Sequence, residues 1–321
     1  GKAWTLTKYV RLKPRLRTTA KGASKMWKDT EYKDADYKGS YIGIEAPSLS
    51  SIIEWLQSSK RVTKRAEASA SGYEGPGWDC EEVEHLGADG DAVMREYWRM
   101  ALDGFPRATE KLRAMLVGAG DSHLYKDDWT FDVAGSVPNV PLYISGEPAN
   151  MQYLEPKPNR PLCKVLIEGG CSGGTESETI FNRGVALLSA IQALESQGVA
   201  VELQYMSSCQ SSERGGFQNY IVTFPIIQMG AGLDLDRVAF CLANPGMLRR
   251  VIFACQERSP KLLGMTDGGG YGEGSSRGFI LPGFDIHIPR INTRHSGDCS
   301  SLDAAHDYIN GLFSEGGFGN G

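Results

Sequence analysis

The chain has 321 residues, 41% hydrophobic and 23% charged, with 34 Lys and Arg against 39 Asp and Glu for a formal net charge of −5 at pH 7. That length and composition suit a globular protein of one large or two smaller domains with a sizeable core. No apolar run reaches the roughly 18 residues of a membrane span, and Gly1-Lys2-Ala3-Trp4 does not open an apolar signal core, so neither membrane insertion nor secretion is expected.

The first segment carries most of the charge asymmetry. Residues 1–28 hold nine basic side chains and no Asp or Glu, which leaves the rest of the chain at −14. Lys8, Arg11, Lys13, Arg15, Arg17 and Lys21 lie among Trp4, Tyr9 and Val10. Such an arm suits phosphate neutralisation with aromatic stacking on bases. It equally suits an acidic protein or the acidic body of a neighbouring copy. Pro14 excludes a helix through its centre. Residues 1–47 are read as this arm and an extended segment.

Residues 48–58 have the pattern of a short amphipathic helix, with Ser48 or Ser50 as its cap. Residues 66–79 are small and Gly/Ser-rich and read as a connection. A helical hairpin is expected over 89–118, broken at Gly104-Phe105-Pro106. Short strands or extended chain are expected over 129–146, and Pro156, Pro158 and Pro161 mark a linker. Residues 48–161 thus form a helical and extended region packed on the second half of the chain.

Residues 162–321 have an α/β rhythm. Strands are expected at 163–168, 199–206, 220–228 and 279–288, and helices at 178–197, 233–243, 247–256 and 300–313. Gly198 ends the first helix and Asp234 caps the second. The stretch 207–218 reads as a polar loop, and 264–278 as a Gly-rich surface loop. Strands alternating with helices predict a Rossmann-like, mostly parallel sheet flanked by helices.

Seven cysteines without a C-x-x-C pair argue against zinc knuckles and a disulfide framework. Most are expected to be buried in a reducing compartment; Cys171, in a small-residue loop, is the exception.

That loop comes directly after the first strand of the second half: Glu168-Gly169-Gly170-Cys171-Ser172-Gly173-Gly174, then Thr175. From Leu162 onward the order of elements resembles a von Willebrand factor A-like domain, whose first strand ends in D-x-S-x-S. The resemblance implies a divalent-cation site completed by a partner's carboxylate. Here Glu168 stands for the Asp, Gly170 replaces the first Ser, and Ser172 is retained. Glu168 and Ser172 are too few hard ligands for Mg²⁺, so no cofactor is expected and the motif is read as degenerate. Gly170, Cys171 and Thr175 shape the loop. Thr175-Glu176-Ser177-Glu178 reads as a capped helix start whose carboxylates oppose phosphate. A nucleophilic Cys171 or Ser172 needs a base, for which His287, His295 and His306 are the candidates; no catalytic residue is assigned. Asp234, Asp236 and Glu257 are expected to cap helices and to form ion pairs with Arg237, Arg249 and Arg250.

The strings Val137–Pro148, Arg183–Leu188, Leu233–Arg237 and Leu248-Arg249-Arg250 resemble an uncharacterised family found in bacteriophage genomes. The resemblance implies a phage-encoded protein in the host cytoplasm, without transferring an activity. The expected function is non-enzymatic binding or scaffolding, with the arm on nucleic acid or an acidic partner. The alternatives are a virion structural protein forming symmetric assemblies, and a hydrolase or cation-dependent binder using the Glu168–Ser172 loop.

Overall fold

The computed structural model describes residues 28–33, 40–60, 79–86, 90–117, 129–133, 137–154, 161–172, 174–213, 216–228, 234–259, 281–291 and 297–318. The first elements are β1 (Lys28–Lys33), β2 (Ser40–Glu45), α1 (Leu49–Ser58), α2 (Gly90–Asp103) and α3 (Pro106–Val117). A small unit comes next: β3 (Trp129–Asp132), β4 (Val137–Pro138), α4 (Val140–Ile144) and β5 (Met151–Leu154). The second half contains β6 (Leu162–Glu168), α5 (Ser177–Ser196), β7 (Ala200–Glu213), β8 (Gly216–Ile227), α6 (Leu235–Ala243), α7 (Phe253–Arg258), β9 (Ile286–Ile288) and α8 (Leu302–Glu315). A π-helical turn, Met247–Ile252, joins α6 to α7.

Six strands form the main sheet in the order β1-β2-β8-β7-β6-β9. Three of its five pairings are parallel: β2 with β8, β6 with β7 and β6 with β9. The protein is therefore α/β with a mostly parallel sheet flanked by helices. The antiparallel pairings are β1 with β2 and β7 with β8. The second corrects the sequence reading of 207–218 as a loop. β7 runs on to Glu213 and β8 starts at Gly216, so this polar stretch is a long hairpin paired from Met206↔Thr223 to Glu213↔Gly216. Ser, Gln and Glu on a strand give no apolar alternation to recognise, and the backbone ladder alone reveals the pairing. The final strand is also shorter than expected: within the described residues it spans Ile286–Ile288. The extended segment before residue 47 lends the sheet its outer two strands.

Strand periodicity sorts the two faces. Cys163, Val165 and Ile167 of β6, Val201, Leu203 and Tyr205 of β7, and Val222 and Phe224 of β8 enter one large core. Buried residues of α1, α2, α3, α5, α6, α7 and α8 join that same core. On the opposite face Leu166, Met206 and Ile221 make a second, smaller cluster with Leu281 and the half-buried Phe284.

The helices start and cross as their sequences dictate. Ser48 caps α1 and Asp234 caps α6, each accepting the backbone N–H three residues on. α5 buries almost its whole middle, and Gly198 stops it at φ +83°. Gly184 lets α6 pass close: a Cβ there would stand 2.4 Å from the Ala243 Cα. Asp79 anchors the first half to the second. Its carboxylate accepts from Arg250 Nε at 2.9 Å, from Arg250 Nη2, and from the Tyr97 hydroxyl at 2.9 Å. Arg250 is therefore a buried ion-pair partner of Asp79, an acid outside the set the sequence suggested, while Arg237 pairs with Asp234 at 3.2 Å as expected.

The small unit is separate in character. Its sheet has the order β3-β5-β4, all antiparallel, and α4 buries no residue. Asn139 caps α4 by accepting the Leu142 N–H at 3.1 Å. No helix was expected there, because five residues starting with Val-Pro show no helical period.

Candidate functional site

The Glu168–Ser172 loop lies at the carboxyl end of β6, an inner strand, where α/β sheets commonly place their sites. It continues the sheet before turning. The Gly169 N–H bonds to Met206 O at 2.8 Å, the Ile291 N–H to Gly170 O at 3.1 Å, and the Ser172 N–H to Ile291 O at 3.0 Å. The Thr175 N–H then bonds back to Ser172 O at 3.0 Å and turns the chain into α5. Gly169 is required by contact: a Cβ would lie 2.0 Å from the Tyr205 hydroxyl oxygen. Gly170 is not so constrained, since its Cβ would meet Arg290 Cβ at 3.6 Å and Glu168 Oε1 at 3.8 Å.

Glu168 is buried on the smaller-cluster face of the sheet. Its carboxylate accepts hydrogen bonds from the Ser208 hydroxyl and the Arg290 backbone N–H. Burial raises its pKa above the usual carboxylate range, against the lowering pull of those bonds and of the Arg290 and Arg183 charges. Arg183, buried within α5, donates from Nη1 to the carbonyls of Glu168 at 3.2 Å and Pro289 at 3.1 Å. It thereby ties the ends of β6 and β9 to the helix between β6 and β7. Arg249, from the π-helical turn, donates to the Thr175 carbonyl.

These residues do not fit a divalent cation. The carboxylate already takes a hydroxyl and an N–H, two guanidinium charges bear on it, and Gly170 brings no hydroxyl. Among the described residues no group of three or more His, Cys, Asp or Glu is placed to hold a metal.

Cys171 is half-buried, and the other six cysteines are buried and free. Burial raises the Cys171 thiol, with Arg249, Arg183 and Thr175 pulling the other way. The cavity beside the loop, about 10 Å³, has room for one water between Arg183 and Tyr205. Arg183 Nε and the Tyr205 hydroxyl both lack a protein partner among the described residues, so they supply the polar contacts such a water needs. Among the described residues no histidine lines this cavity. His287 sits on β9 and His306 on α8, both with pKa lowered by burial, and His295 lies outside the described residues. A larger cleft of about 230 Å³ lies elsewhere, between α5 and α8, against Ala190, Leu194, Phe313 and Phe318.

The helix start at α5 differs from expectation. Glu176 occupies the cap position without a side-chain bond, while Glu178 lies 3.9 Å from Arg107. Thr175 contributes its carbonyl to Arg249, not a cap. The sequence reading brought Glu168, Gly170, Cys171, Ser172 and Thr175 into one loop, and they are together. It missed Arg183, Arg290 and Ser208. The one signal for Arg183 was a charged residue inside the apolar run Ile180–Leu188, as for Arg249 and Arg250 inside Met247–Ile252. The arm residues Lys8, Arg11, Lys13, Arg15, Arg17 and Lys21 lie outside the described residues.

These features define an α/β protein with a tied-down loop at the carboxyl edge of its sheet. The chain matches the family described as a domain of unknown function (DUF7192) over residues 40–305, and it belongs to that family. No curated protein and no solved structure matches it. Among the described residues no single helix is long and apolar enough to cross a membrane.

Proposed function

We propose that the chain is a phage-encoded, non-enzymatic binding or scaffolding protein of the host cytoplasm, whose α/β body is a platform and whose basic segment engages nucleic acid or an acidic partner. The observation that carries this reading is the composition of residues 1–28, nine cations and no anion ahead of a body at −14. The whole of that segment precedes the family match, which starts at residue 40. The loop geometry supports a platform: Glu168, Arg183 and Arg249 act on the chain itself and hold strand ends. The von Willebrand factor A-like reading of residues 162–321 is part of the proposal, supported by a small-residue loop between the first strand and its helix.

The test is deletion of residues 1–28, followed by fluorescence anisotropy with single- and double-stranded DNA and RNA oligonucleotides at low salt. Loss of binding with an unchanged melting temperature is expected. With at most nine phosphates neutralised, the salt slope should be no steeper than about −8. Unchanged binding after the deletion, or no binding by the intact chain, removes the nucleic-acid reading.

A further inference from the structure

The unit β3–β5 with α4 exposes apolar side chains that the body would bury. Phe131 is 46% exposed, Val133 70%, Val140 57%, Tyr143 69% and Ile144 78%. They gather at one end of the small sheet. β3 and β4 both run antiparallel to β5, and Asp132 and Pro138 both pair with Met151, so the two strands finish at the same end. Val133 continues one and α4 continues the other, tied there by the Asn139 N–H to Asn150 O bond of 2.7 Å. On α4, residues 140, 143 and 144 share a face by the i, i+3, i+4 rule.

With side chains of roughly 150–250 Å² for the aromatics and somewhat less for the aliphatics, these fractions leave on the order of 600 Å² of apolar surface. That is at the top of what a typical monomer exposes in its largest patch and close to the roughly 800 Å² each partner contributes to a stable interface. The patch is also nearly uncharged: residues 129–154 contain Asp132 and Glu147 and no Lys or Arg. It therefore offers no cation to a phosphate backbone or to an acidic protein. Two bodies that each carry −14 outside the arm repel one another, and a neutral apolar patch is where two copies meet with least repulsion.

We propose that this face is the interface of a twofold homodimer, with Tyr143 and Ile144 of one copy packed against the same residues of the other. The same patch on both copies is the usual arrangement of a closed pair. The inference rests on the scaffolding reading and names the partner of this surface as a second copy. It is independent of the basic segment.

Sedimentation equilibrium of the full chain tests it, run in 1 M salt where the Debye length is about 3 Å. Pairing of the basic segment with an acidic body is lost there, and an apolar interface persists. A mass of twice 35.0 kDa is expected. Ile144→Glu and Tyr143→Ser should each raise the dimer dissociation constant by about 30-fold or more. Both residues are exposed, so the melting temperature of the dilute monomer should not change. A wild-type chain that stays monomeric up to about 100 μM, weaker than the micromolar range of standard-size interfaces, overturns the proposal. So does a dimer that either variant leaves intact. Failure of the deletion experiment, with a dimer present, removes nucleic-acid binding and leaves this interface standing.

Discussion

The α/β body and the small unit spanning 129–154 use similar apolar residues to opposite ends. In the body, Leu188, Ile191, Val165 and Phe224 are closed from water by helices laid on one face of the sheet. In the small unit no described residue with an assigned exposure is buried, and Tyr143 and Ile144 point into solvent. A three-stranded sheet of short strands with one five-residue helix has too little interior to bury its own side chains. The contrast teaches that apolar content alone does not make a core. A core needs a second layer, and the small unit has none among the described residues of its own chain.

The largest expected effect comes from the anchor between the two halves of the body. Asp79→Ala takes the carboxylate from a buried Arg250 and should cost about 3–5 kcal/mol in chemical denaturation. A loss under about 1 kcal/mol, the scale of an exposed pair, would show that this contact does not hold the first half to the second. Next, Leu188→Ala should cost about 2–5 kcal/mol by leaving a cavity in the large core. Ile144→Ala, at an exposed site, should stay within about 0.5 kcal/mol in dilute solution. Equal losses for the two would erase the distinction between body and small unit.

Hydrogen exchange sharpens the same comparison. Amides of β6 and α5 should exchange only by global opening, and those of α4 orders of magnitude faster in dilute protein. If α4 slows as concentration rises, the second layer it lacks is another copy.

The smaller effects concern the loop. Glu168 has a folded pKa above its unfolded value of 4.5, so the folded state holds its proton more tightly. Its contribution to stability is present below pH 4.5 and falls as pH rises through the folded value. Glu168→Gln keeps an acceptor for Ser208 and removes the charge. The variant should therefore melt higher than wild type at about pH 8, with the gap closing toward about pH 4. A gap that widens on acidification would reverse the sign and mean that the ionised form is the stabilised one. Last, Gly170→Ser has ordinary van der Waals room, and with Glu168→Asp it restores the motif residues at 168, 170 and 172. If the loop is a worn cation cradle, Mg²⁺ should raise the melting temperature of this double variant and not of wild type. No response in either removes the von Willebrand factor A-like reading of the loop.

Much of the body was legible in the chain because its periods are clean. Ile180, Val185, Leu188 and Ile191 repeat at helical spacing, and Ser48 and Asp234 cap where expected. The Glu168–Thr175 loop could be located because glycines come straight after an apolar strand. The β7–β8 hairpin could not, since its far half pairs through backbone groups while its polar side chains carry no pattern. The short α4 is stabilised by an Asn139 cap and a Ser145 bond to Leu142 O, local contacts that helical periodicity does not reveal.

Local periodicity and capping chemistry in the amino-acid order settled which segments become helices and core strands, because those depend on neighbours within a few residues. Charge distribution settled the cationic start and anionic body. Which partners the buried arginines find was decided only in three dimensions. Arg183 reaches Pro289 and Arg250 reaches Asp79 across more than a hundred residues of chain. So was the outward turn of Tyr143 and Ile144, because exposure depends on what packs above a residue and not on the residue itself.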